Sequence, residues 1–244
     1  MRRFGLIGKT LKHSFSKTYF SKKFIEEGIK DCSYENFELS SIRELSSIIT
    51  GPDRLDGFNI TIPYKEEVLA FLNERNEAVE KIGACNCVRI REGKLTGFNT
   101  DAPAFKASLQ SHLQSHHQCA LVLGSGGASK AVQYALKELG IDFLVISRNK
   151  KGGQLGYEEV GTKLIEEHQI IINTTPLGMY PNVNDDPPIP YAAIGAKHLL
   201  FDLTYNPPKT KFLTQGERNG AIIMNGYDML VAQAEESWRI WNEE

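Results

Sequence analysis

An apolar run, a glycine-rich turn and a helix-like stretch follow one another over residues 119–139, and they constrain the fold more than any other segment. The apolar run Cys119–Leu123 predicts a buried strand. Gly124-Ser125-Gly126-Gly127 supplies the first two glycines of a G-x-G-x-x-G loop, and Ser129 takes the third position. In such loops the amide groups at the helix start meet a pyrophosphate. We therefore predict a dinucleotide site here, with a ligand-free glycine turn as the alternative.

The other predicted elements alternate between strands and helices along the chain. In the first half they are strands at 4–8, 34–39 and 55–61, a helix over 14–27 that ends at Gly28, a helix that begins at Pro63, and a hairpin that turns at Arg91-Glu92-Gly93. In the second half they are strands at 143–146, 170–172 and 198–203, and a last helix with an apolar stripe from Tyr227 to Trp241. This alternation predicts an α/β fold, with a parallel doubly wound sheet in the second half.

Charge and composition argue against several classes of protein. The formal net charge is −2 and the basic residues are scattered, so neither nucleic acid nor a membrane surface is expected as a partner. Four cysteines are few for a disulfide scaffold, and no His or Cys group completes a site around Cys85 and Cys87, so no metal is expected. The sequence lacks a signal-peptide pattern and a run of ~20 apolar residues, which predicts a cytoplasmic protein.

The end of the strand after the glycine loop bears on the choice of nicotinamide cofactor. Enzymes that use NAD commonly place an Asp or Glu there for the ribose 2′-hydroxyl. This chain instead reads Ser147-Arg148-Asn149-Lys150-Lys151. A guanidinium can bind a phosphate through two hydrogen bonds, so Arg148 predicts a preference for NADP. Lys150 and Lys151 either add charge to that site or form a solvated basic turn.

Three polar segments in the first half are candidates for a substrate site. His13-Ser14-Phe15-Ser16 stands at a helix start, where helix capping by one serine is the alternative. Lys65 closes the segment 59–65, and an exposed helix lysine is its alternative. Gly97-Phe98-Asn99-Thr100-Asp101 stands at the junction of the two halves, where ligands of two-domain α/β proteins commonly bind.

Eight short motifs occur in a fixed order along nearly the whole chain, from Gly5 to Gln233. They are Gly5-Leu6-Ile7-Gly8 with His13-Ser14-Phe15-Ser16, Asn59-Ile60-Thr61-Ile62-Pro63-Tyr64-Lys65, Gly83-Ala84-Cys85-Asn86-Cys87, Gly97-Phe98-Asn99-Thr100-Asp101, Gly124-Ser125-Gly126-Gly127-Ala128, Asn173-Thr174-Thr175-Pro176-Leu177-Gly178-Met179, Asp202-Leu203-Thr204-Tyr205-Asn206-Pro207, and Gly226-Tyr227-Asp228-Met229-Leu230 with Gln233. In residues and in order they resemble the motifs of the shikimate dehydrogenase family.

The resemblance implies an oxidoreductase that reversibly reduces 3-dehydroshikimate to shikimate with NADP(H), in aromatic amino-acid biosynthesis. It implies that Lys65 and Asp101 carry the chemistry. The residues that it implies for the substrate are Ser14, Ser16, Thr61, Asn86, Tyr205 and Gln233. Those that we assign to the cofactor are Gly124, Ser125, Gly126, Gly127, Ala128, Ser147, Arg148, Asn149, Thr174 and Gly226.

The resemblance also implies a division of the chain. We expect a substrate-binding domain over residues 1–101, a Rossmann-like NADP-binding domain over 102–225, and a last helix over 226–244 that returns to the first domain with Gln233. We expect a monomer or a homodimer.

Several positions depart from the family's pattern. Thr10 and Lys17 stand where the family usually has Pro, and Tyr19-Phe20 where it has His-Asn. Cys87 replaces a common Thr, and the segment after Lys151 is short. These departures leave open a quinate/shikimate dehydrogenase with broader substrate or cofactor use. A ligand-binding regulator without turnover is the other alternative, against which the presence of Lys65 and Asp101 argues.

Overall fold

The structure, a computed structural model, describes residues 1–12, 14–51 and 54–243. The chain divides into two compact units: Met1–Thr100 with Gln233–Glu244, and Asp101–Ala232. His13, which opens the predicted serine motif, and Glu244, which ends the predicted last helix, lie outside the described residues. In the described part of the chain, no helix is both long enough and apolar enough to span a bilayer.

A mixed sheet of six strands forms the centre of the first unit, within the described residues. The strands are β1 (Arg2–Gly8), β2 (Cys32–Glu38), β3 (Gly57–Ile60), β4 (Glu74–Arg75), β5 (Cys87–Arg91) and β6 (Lys94–Phe98), in the order β2-β1-β3-β5-β6-β4. β1 is parallel to β2 and β3, whereas β5 is antiparallel to β3 and β6. The helices are α1 (Phe15–Glu26), α2 (Leu45–Thr50) and α3 (Glu77–Ile82), with 3₁₀ turns at Ile42–Glu44 and Glu67–Phe71.

Buried side chains cover both faces of this sheet. Successive side chains of a strand point to opposite sides, so β1 contributes residues to both faces. Phe4 packs on one face with Trp241, their rings stacked 4.6 Å apart, and Ile7 packs on the other face with Phe58. The Trp241 Nε1 donates to the Val88 carbonyl oxygen at 3.0 Å. A Cβ at Gly57 would lie 2.5 Å from the Trp241 ring. Trp241 is therefore part of the core of the first unit.

The structure confirms the predicted hairpin and corrects the helix predicted at Pro63. Glu92 and Gly93 both have positive φ, as a two-residue turn between twisted strands requires. Residues 62–66 form a turn instead of a helix start, with a cis bond before Pro63. The Tyr64 amide donates to the Thr61 carbonyl oxygen at 3.0 Å, so the chain closes a tight turn before the 3₁₀ segment begins.

A parallel sheet of five strands, within the described residues, forms the second unit. Its strands are β7 (Cys119–Leu123), β8 (Asp142–Ile146), β9 (Ile170–Asn173), β10 (Leu199–Asp202) and β11 (Ile222–Met224), in the order β11-β10-β9-β7-β8. Its helices are α4 (Asp101–Gln110), α5 (Gly127–Glu138), α6 (Thr162–Glu167) and α7 (Lys211–Arg218), with 3₁₀ turns at Tyr157–Glu159 and Tyr191–Ala193. The parallel doubly wound sheet predicted for this half is confirmed.

The last helix, α8 (Tyr227–Asn242), contributes residues to both units. Met229 belongs to the core of the second unit, whereas Ala234, Ile240 and Trp241 belong to that of the first. The structure therefore divides this helix after Ala232, while the sequence assigned all of it to the first domain. Tyr227, predicted on the apolar stripe, is 50% exposed, because the buried face is rotated toward the side that carries Met229 and Gln233.

Candidate active site

The glycine loop lies at the point where the sheet of the second unit reverses its strand order. β7 lies between β8 and β9, so the chain leaves β7 to one side and later returns on the other. Ligands of open α/β sheets bind beyond the carboxyl ends of the strands at such a point. Gly124 follows β7 with a φ of +110°, and a Cβ there would lie 2.5 Å from Thr174 Oγ1, just after β9. Thr174 Oγ1 donates to the Leu123 carbonyl oxygen at 2.7 Å.

Ser129 accounts for the departure from a third glycine. Its side chain is fully buried, and its hydroxyl donates to the Gly124 carbonyl oxygen at 2.7 Å. It also accepts from Gln133 Nε2 at 3.0 Å. The serine therefore closes the loop by a hydrogen bond across it.

The start of α5 can meet an anion. Gly126 is the N-cap of this 12-residue helix, and a glycine has no side chain to accept the first amide hydrogens. Ser125 and Gly126 are exposed, and a Cβ at Gly126 meets no described atom within 4 Å. Gly127 and Ala128 begin the helix and are half-buried. The amide groups and the helix dipole suit a pyrophosphate at this position.

The turn after β8, which carries Arg148, is bonded to the glycine loop. Ser147 is buried, and its Oγ lies 3.0 Å from Ser125 Oγ and 3.3 Å from the Asn149 amide. Arg148 is exposed, and its charge opposes the rise that burial causes in the pKa of Tyr157. The turn is thus joined to the glycine loop by two serine hydroxyls, with the guanidinium at the surface.

Lys150 is held by two carboxylates. It pairs with Glu158 at 3.0 Å and with Glu159 at 2.9 Å, and these contacts raise the pKa of Lys150. Because these two carboxylates compensate the charge of Lys150, Arg148 is the better candidate for a 2′-phosphate.

A buried carboxylate supports the segment that carries Tyr205. Asp202, at the end of β10, accepts from Thr210 Oγ1 at 2.6 Å, from the Thr204 amide at 2.9 Å and from Asn173 Nδ2 at 3.1 Å. Burial raises the pKa of Asp202, and these hydrogen bonds oppose the rise. Tyr205 follows and is half-buried.

Gly226, which we assigned to the cofactor, also has a packing role. Its amide donates to the Thr204 carbonyl oxygen at 3.2 Å, and a Cβ there would lie 2.1 Å from the Leu203 carbonyl oxygen. A close approach of two backbone segments therefore requires glycine at this position.

The two predicted serines of the first unit have different surroundings. Ser14 is the N-cap of α1, and its Oγ accepts from the Lys17 amide at 3.4 Å, which is the capping role given as the alternative. Ser16 is only 7% exposed, and its hydroxyl contacts the buried Tyr34 phenol, opposing the rise that burial causes in the pKa of Tyr34. Capping does not exclude ligand binding by Ser14, because an oxygen has more than one hydrogen-bonding position.

Tyr34 connects Ser16 to a buried amide. The Tyr34 hydroxyl donates to Asn59 Oδ1 at 2.9 Å. Asn59 Nδ2 donates to the Asn86 carbonyl oxygen at 3.2 Å and to Ser237 Oγ at 2.8 Å. Both amide hydrogens of Asn59 are thus used within the protein.

The side chain of Asn86 is fixed by two hydrogen bonds to one residue. Its Oδ1 accepts from the Thr100 amide at 2.7 Å, and its Nδ2 donates to Thr100 Oγ1 at 2.9 Å. Asn86 is 3% exposed and Thr100 is fully buried. This pair sets the orientation of the Asn86 amide.

Lys65 and Thr61 lie in or beside the turn at 62–66. Lys65 is half-buried, unlike the exposed lysine of the alternative, and its carbonyl oxygen accepts from the Cys85 amide at 2.8 Å. Thr61 is half-buried, and its amide donates to the Ile7 carbonyl oxygen at 2.9 Å. The turn is therefore tied both to β1 and to the segment before β5.

Asp101 and Gln233 are polar residues with little solvent exposure. Asp101 opens α4 and is 6% exposed, and Gln233 on α8 is 7% exposed. Buried polar side chains are normally hydrogen-bonded and carry structural or functional roles.

The polar residues around these positions that were not predicted as site residues include Tyr34, Thr100, Asp202 and Ser237. Thr100 and Asp202 stand in quoted motifs, so the motif was a usable signal for them. Tyr34 and Ser237 contact Asn59, which is 25 and 178 positions away in sequence. No local pattern indicates contacts of that range.

The fold and the glycine loop of the second unit identify the class of protein. A doubly wound parallel sheet with a glycine loop at its reversal point is a dinucleotide-binding unit. The first unit adds a separate group of buried and half-buried polar residues.

Comparison with known proteins assigns the family. Residues 6–88 match the family model described as "Shikimate dehydrogenase substrate binding domain". "Shikimate dehydrogenase (NADP(+))" of Caldicellulosiruptor saccharolyticus is 36% identical, over 99% of this chain and 92% of the relative. The chain belongs to the shikimate dehydrogenase family, as its motifs predicted.

Solved structures agree with this assignment. Shikimate 5-dehydrogenase from Thermus thermophilus, in complex with NADP(H) and shikimate, is 30% identical with a TM-score of 0.86, over 99% of this chain and 94% of that chain. Shikimate 5-dehydrogenase from Listeria monocytogenes, in complex with shikimate and NAD, is 25% identical with a TM-score of 0.83, over 100% and 92%. The predicted two-domain α/β fold class is confirmed.

Proposed function

We propose that this protein catalyses the reversible NADPH-dependent reduction of 3-dehydroshikimate to shikimate. The observation that carries the proposal is the glycine loop at the sheet reversal, in a chain 36% identical over 99% of its length to a dehydrogenase of that name. The fold alone would not specify a reaction, because the same sheet serves many enzymes.

In this proposal, residues of the second unit hold NADP(H). The Gly124–Ala128 loop and the start of α5 offer backbone amides to the pyrophosphate, and Arg148 binds the 2′-phosphate. Ser147 and Asn149 shape the turn that carries Arg148, and Thr174 and Gly226 line the adjacent strand ends. When bound, the cofactor supplies or accepts the hydride.

Polar residues hold the substrate acid. Ser14 and Ser16 donate hydrogen bonds to the carboxylate, since a hydroxyl suits an anionic oxygen without adding charge. The Tyr205 hydroxyl is assigned the same role. The ring hydroxyls are assigned to a second group of residues, which are Thr61, Asn86 and Gln233. The buried contacts of Ser16 and Asn86 support fixed orientations for both groups.

Lys65 moves the proton. During reduction, negative charge develops on the oxygen of the substrate ketone, and the Lys65 ammonium stabilises that charge and gives the oxygen a proton. Asp101 accepts hydrogen bonds from Lys65 and from the reacting hydroxyl, which holds the two groups in line. In the oxidation direction Lys65 takes the proton of the hydroxyl.

A broader quinate/shikimate dehydrogenase is the second candidate. The departures at Thr10, Lys17, Tyr19 and Phe20 stand close in sequence to Ser14 and Ser16, which the proposal assigns to the substrate carboxylate. The Listeria monocytogenes relative was solved with NAD. Whether this protein also accepts NAD is therefore a question for experiment.

The two candidates are distinguished by one set of assays. Purified protein is incubated with shikimate or quinate and with NADP or NAD, and absorbance of the reduced cofactor is followed. Shikimate with NADP should give the highest kcat/KM by at least about tenfold. Comparable rates with quinate or NAD would replace the proposal with the broader enzyme. No turnover of either acid would favour the ligand-binding regulator.

We further propose a cytoplasmic protein that acts as a monomer or a homodimer on a small-molecule substrate. The four cysteines are free thiols, which is ordinary in a reducing compartment. Gel filtration with light scattering measures the oligomeric state.

A further inference from the structure

The hydroxyl of Ser237 joins three parts of the first unit that are far apart in sequence. Its Oγ lies 2.8 Å from Asn59 Nδ2, 2.8 Å from the Gln233 carbonyl oxygen and 3.4 Å from Thr100 Oγ1. The side chain is fully buried. Asn59 is linked to Ser16 through Tyr34, and Thr100 is bonded to Asn86. Gln233 lies one helical turn before Ser237. This hydroxyl is therefore connected, directly or through one or two neighbours, to three proposed substrate residues.

Counting hydrogens gives these contacts a direction. The single hydroxyl hydrogen of Ser237 is used on the Gln233 carbonyl oxygen, which can only accept. At the Thr100 contact the Ser237 oxygen must therefore accept, so the Thr100 hydroxyl donates. Since Thr100 Oγ1 in turn accepts from Asn86 Nδ2 at 2.9 Å, a directed chain runs from Asn86 through Thr100 and Ser237 to Gln233.

A second series of hydrogen bonds runs from Tyr34 through Asn59 to Ser237. The Tyr34 hydroxyl, in contact with Ser16, donates to Asn59 Oδ1, and Asn59 Nδ2 donates to Ser237 Oγ. The Ser237 oxygen then accepts from two donors, and its hydrogen is donated to one acceptor. Such a buried network fixes its members in one arrangement, and it is costly to leave incomplete.

Cys87 gives an independent reason to attach importance to this hydroxyl. Cys87 stands where the family's motif commonly has Thr, and its fully buried thiol contacts Ser237. A thiol is a weak hydrogen-bonding group, so the Ser237 hydroxyl is the stronger member of this pair.

We propose that Ser237 is a positioning residue that fixes Gln233 and Asn86 relative to Ser16, and so determines affinity for the substrate acid. It acts through these neighbours and does not contact substrate. The inference rests on the proposed function, in which Gln233 and Asn86 bind ring hydroxyls and Ser16 binds the carboxylate.

The test compares Ser237→Ala with wild type in steady-state kinetics. Loss of the hydroxyl leaves an amide hydrogen of Asn59 and the Thr100 hydroxyl without their acceptor, and removes the side-chain bond to the Gln233 carbonyl oxygen. KM for shikimate should rise about tenfold, while KM for NADP stays within about twofold. Ser108→Ala is the matched control, because Ser108 makes the same bond to the carbonyl four residues earlier, at 2.9 Å, outside this network.

A double-mutant cycle separates positioning from general destabilisation. In a Gln233→Ala background, Ser237→Ala should raise KM for shikimate by a smaller factor than it does in wild type, because only its effect on Asn86 remains and coupled residues are not additive. Equal increases in both KM values, additive effects in the cycle, or an unchanged KM would overturn the inference. If Ser237→Ala does not fold, Ser237→Cys provides the same comparison at similar volume. A wild-type protein that fails to turn over shikimate would overturn the proposed function, and the inference with it.

Discussion

The hydroxyl of Ser129 donates a hydrogen bond of 2.7 Å to the carbonyl oxygen of Gly124, five residues earlier in the chain. It closes the loop whose amide groups are proposed to meet the pyrophosphate. Gly124 itself has a φ of +110°, and a Cβ there would lie 2.5 Å from Thr174 Oγ1. The loop is therefore determined by a backbone conformation at one end and a hydrogen bond at the other.

The two ends of this loop should respond differently to alanine. Gly124→Ala should raise KM for NADP at least about tenfold, because an L-residue is strained at this φ and its Cβ would displace Thr174. Ser129→Ala removes two hydrogen bonds, to the Gly124 carbonyl oxygen and from Gln133, and should cost roughly 1–3 kcal/mol of unfolding free energy, with a smaller effect on KM. Steady-state kinetics and urea denaturation measure both. Equal effects on KM would contradict this account of the loop.

Cofactor preference should depend on Arg148 and little on Lys150. Arg148→Ala should lower kcat/KM for NADP by about tenfold or more and leave NAD nearly unchanged, because only NADP carries the 2′-phosphate. Lys150→Ala is the matched control, since Glu158 and Glu159 already compensate the charge of Lys150. A larger loss from Lys150→Ala than from Arg148→Ala would reverse the assignment.

The carboxylate site is tested by its two serines. Hydrogen bonds to a charged group contribute about 1.5–3 kcal/mol each, so Ser14→Ala and Ser16→Ala should raise KM for shikimate, in the stronger case well above tenfold. Ser16→Ala should have the larger effect, because Ser16 also contacts Tyr34 in the buried network. Wild-type KM in both variants would mean that Ser14 only caps α1 and that Ser16 only packs.

His117 should make stability depend on pH. It is 3% exposed, and its Nδ1 accepts from the Gln114 amide at 3.0 Å, which requires the neutral ring. Burial lowers the pKa of His117 below its usual 6.5, and the nearby His116 and His198 lower it further, against the bond to the Lys197 carbonyl oxygen. Below pH 6.5 the His117 ring takes up a proton more readily in the unfolded chain than in the folded protein. The contribution of the neutral ring to the free energy of unfolding is therefore complete above pH 6.5 and is lost as the pH falls.

The measurement is denaturant unfolding between about pH 7.5 and about pH 5. One such proton contributes at most about 1.4 kcal/mol per pH unit. His117→Asn places an amide oxygen near the position of Nδ1 as an acceptor for Gln114 but cannot titrate, so its profile should be flatter than that of wild type. Parallel profiles would exclude His117 as a source of the slope.

Sequence patterns predicted most of the second unit because its signals are local. Cys119–Leu123 was predicted at its observed bounds, and Asp142–Ile146 and Ile170–Asn173 within one residue. The apolar residues of a parallel sheet covered on both faces form short continuous runs, which are easy to recognise. The two-residue strand β4 and the strand β11 were missed, since the first is polar and the second follows a turn closely.

The candidate site was less accessible to sequence reasoning than the fold. The motifs indicated which residues to consider, but Pro63 suggested a helix start where the structure has a turn. The roles of Tyr34 and Ser237 depend on contacts with Asn59 over 25 and 178 positions, which only the folded chain brings together. The position of Tyr227 was wrong because a helical stripe has a direction that neighbouring elements decide.

Replacement of Lys65 shows whether this lysine transfers the proton in the proposed reaction. General acid–base groups contribute ~10²–10⁴-fold, so Lys65→Ala should lose at least about a hundredfold in kcat for shikimate oxidation. KM should change little, because the serines and Gln233 still hold the acid. Partial recovery with added methylamine would show that the missing group is an amine that carries a proton. A Lys65→Ala protein that kept more than about a tenth of wild-type kcat would contradict the proton-transfer role of this lysine.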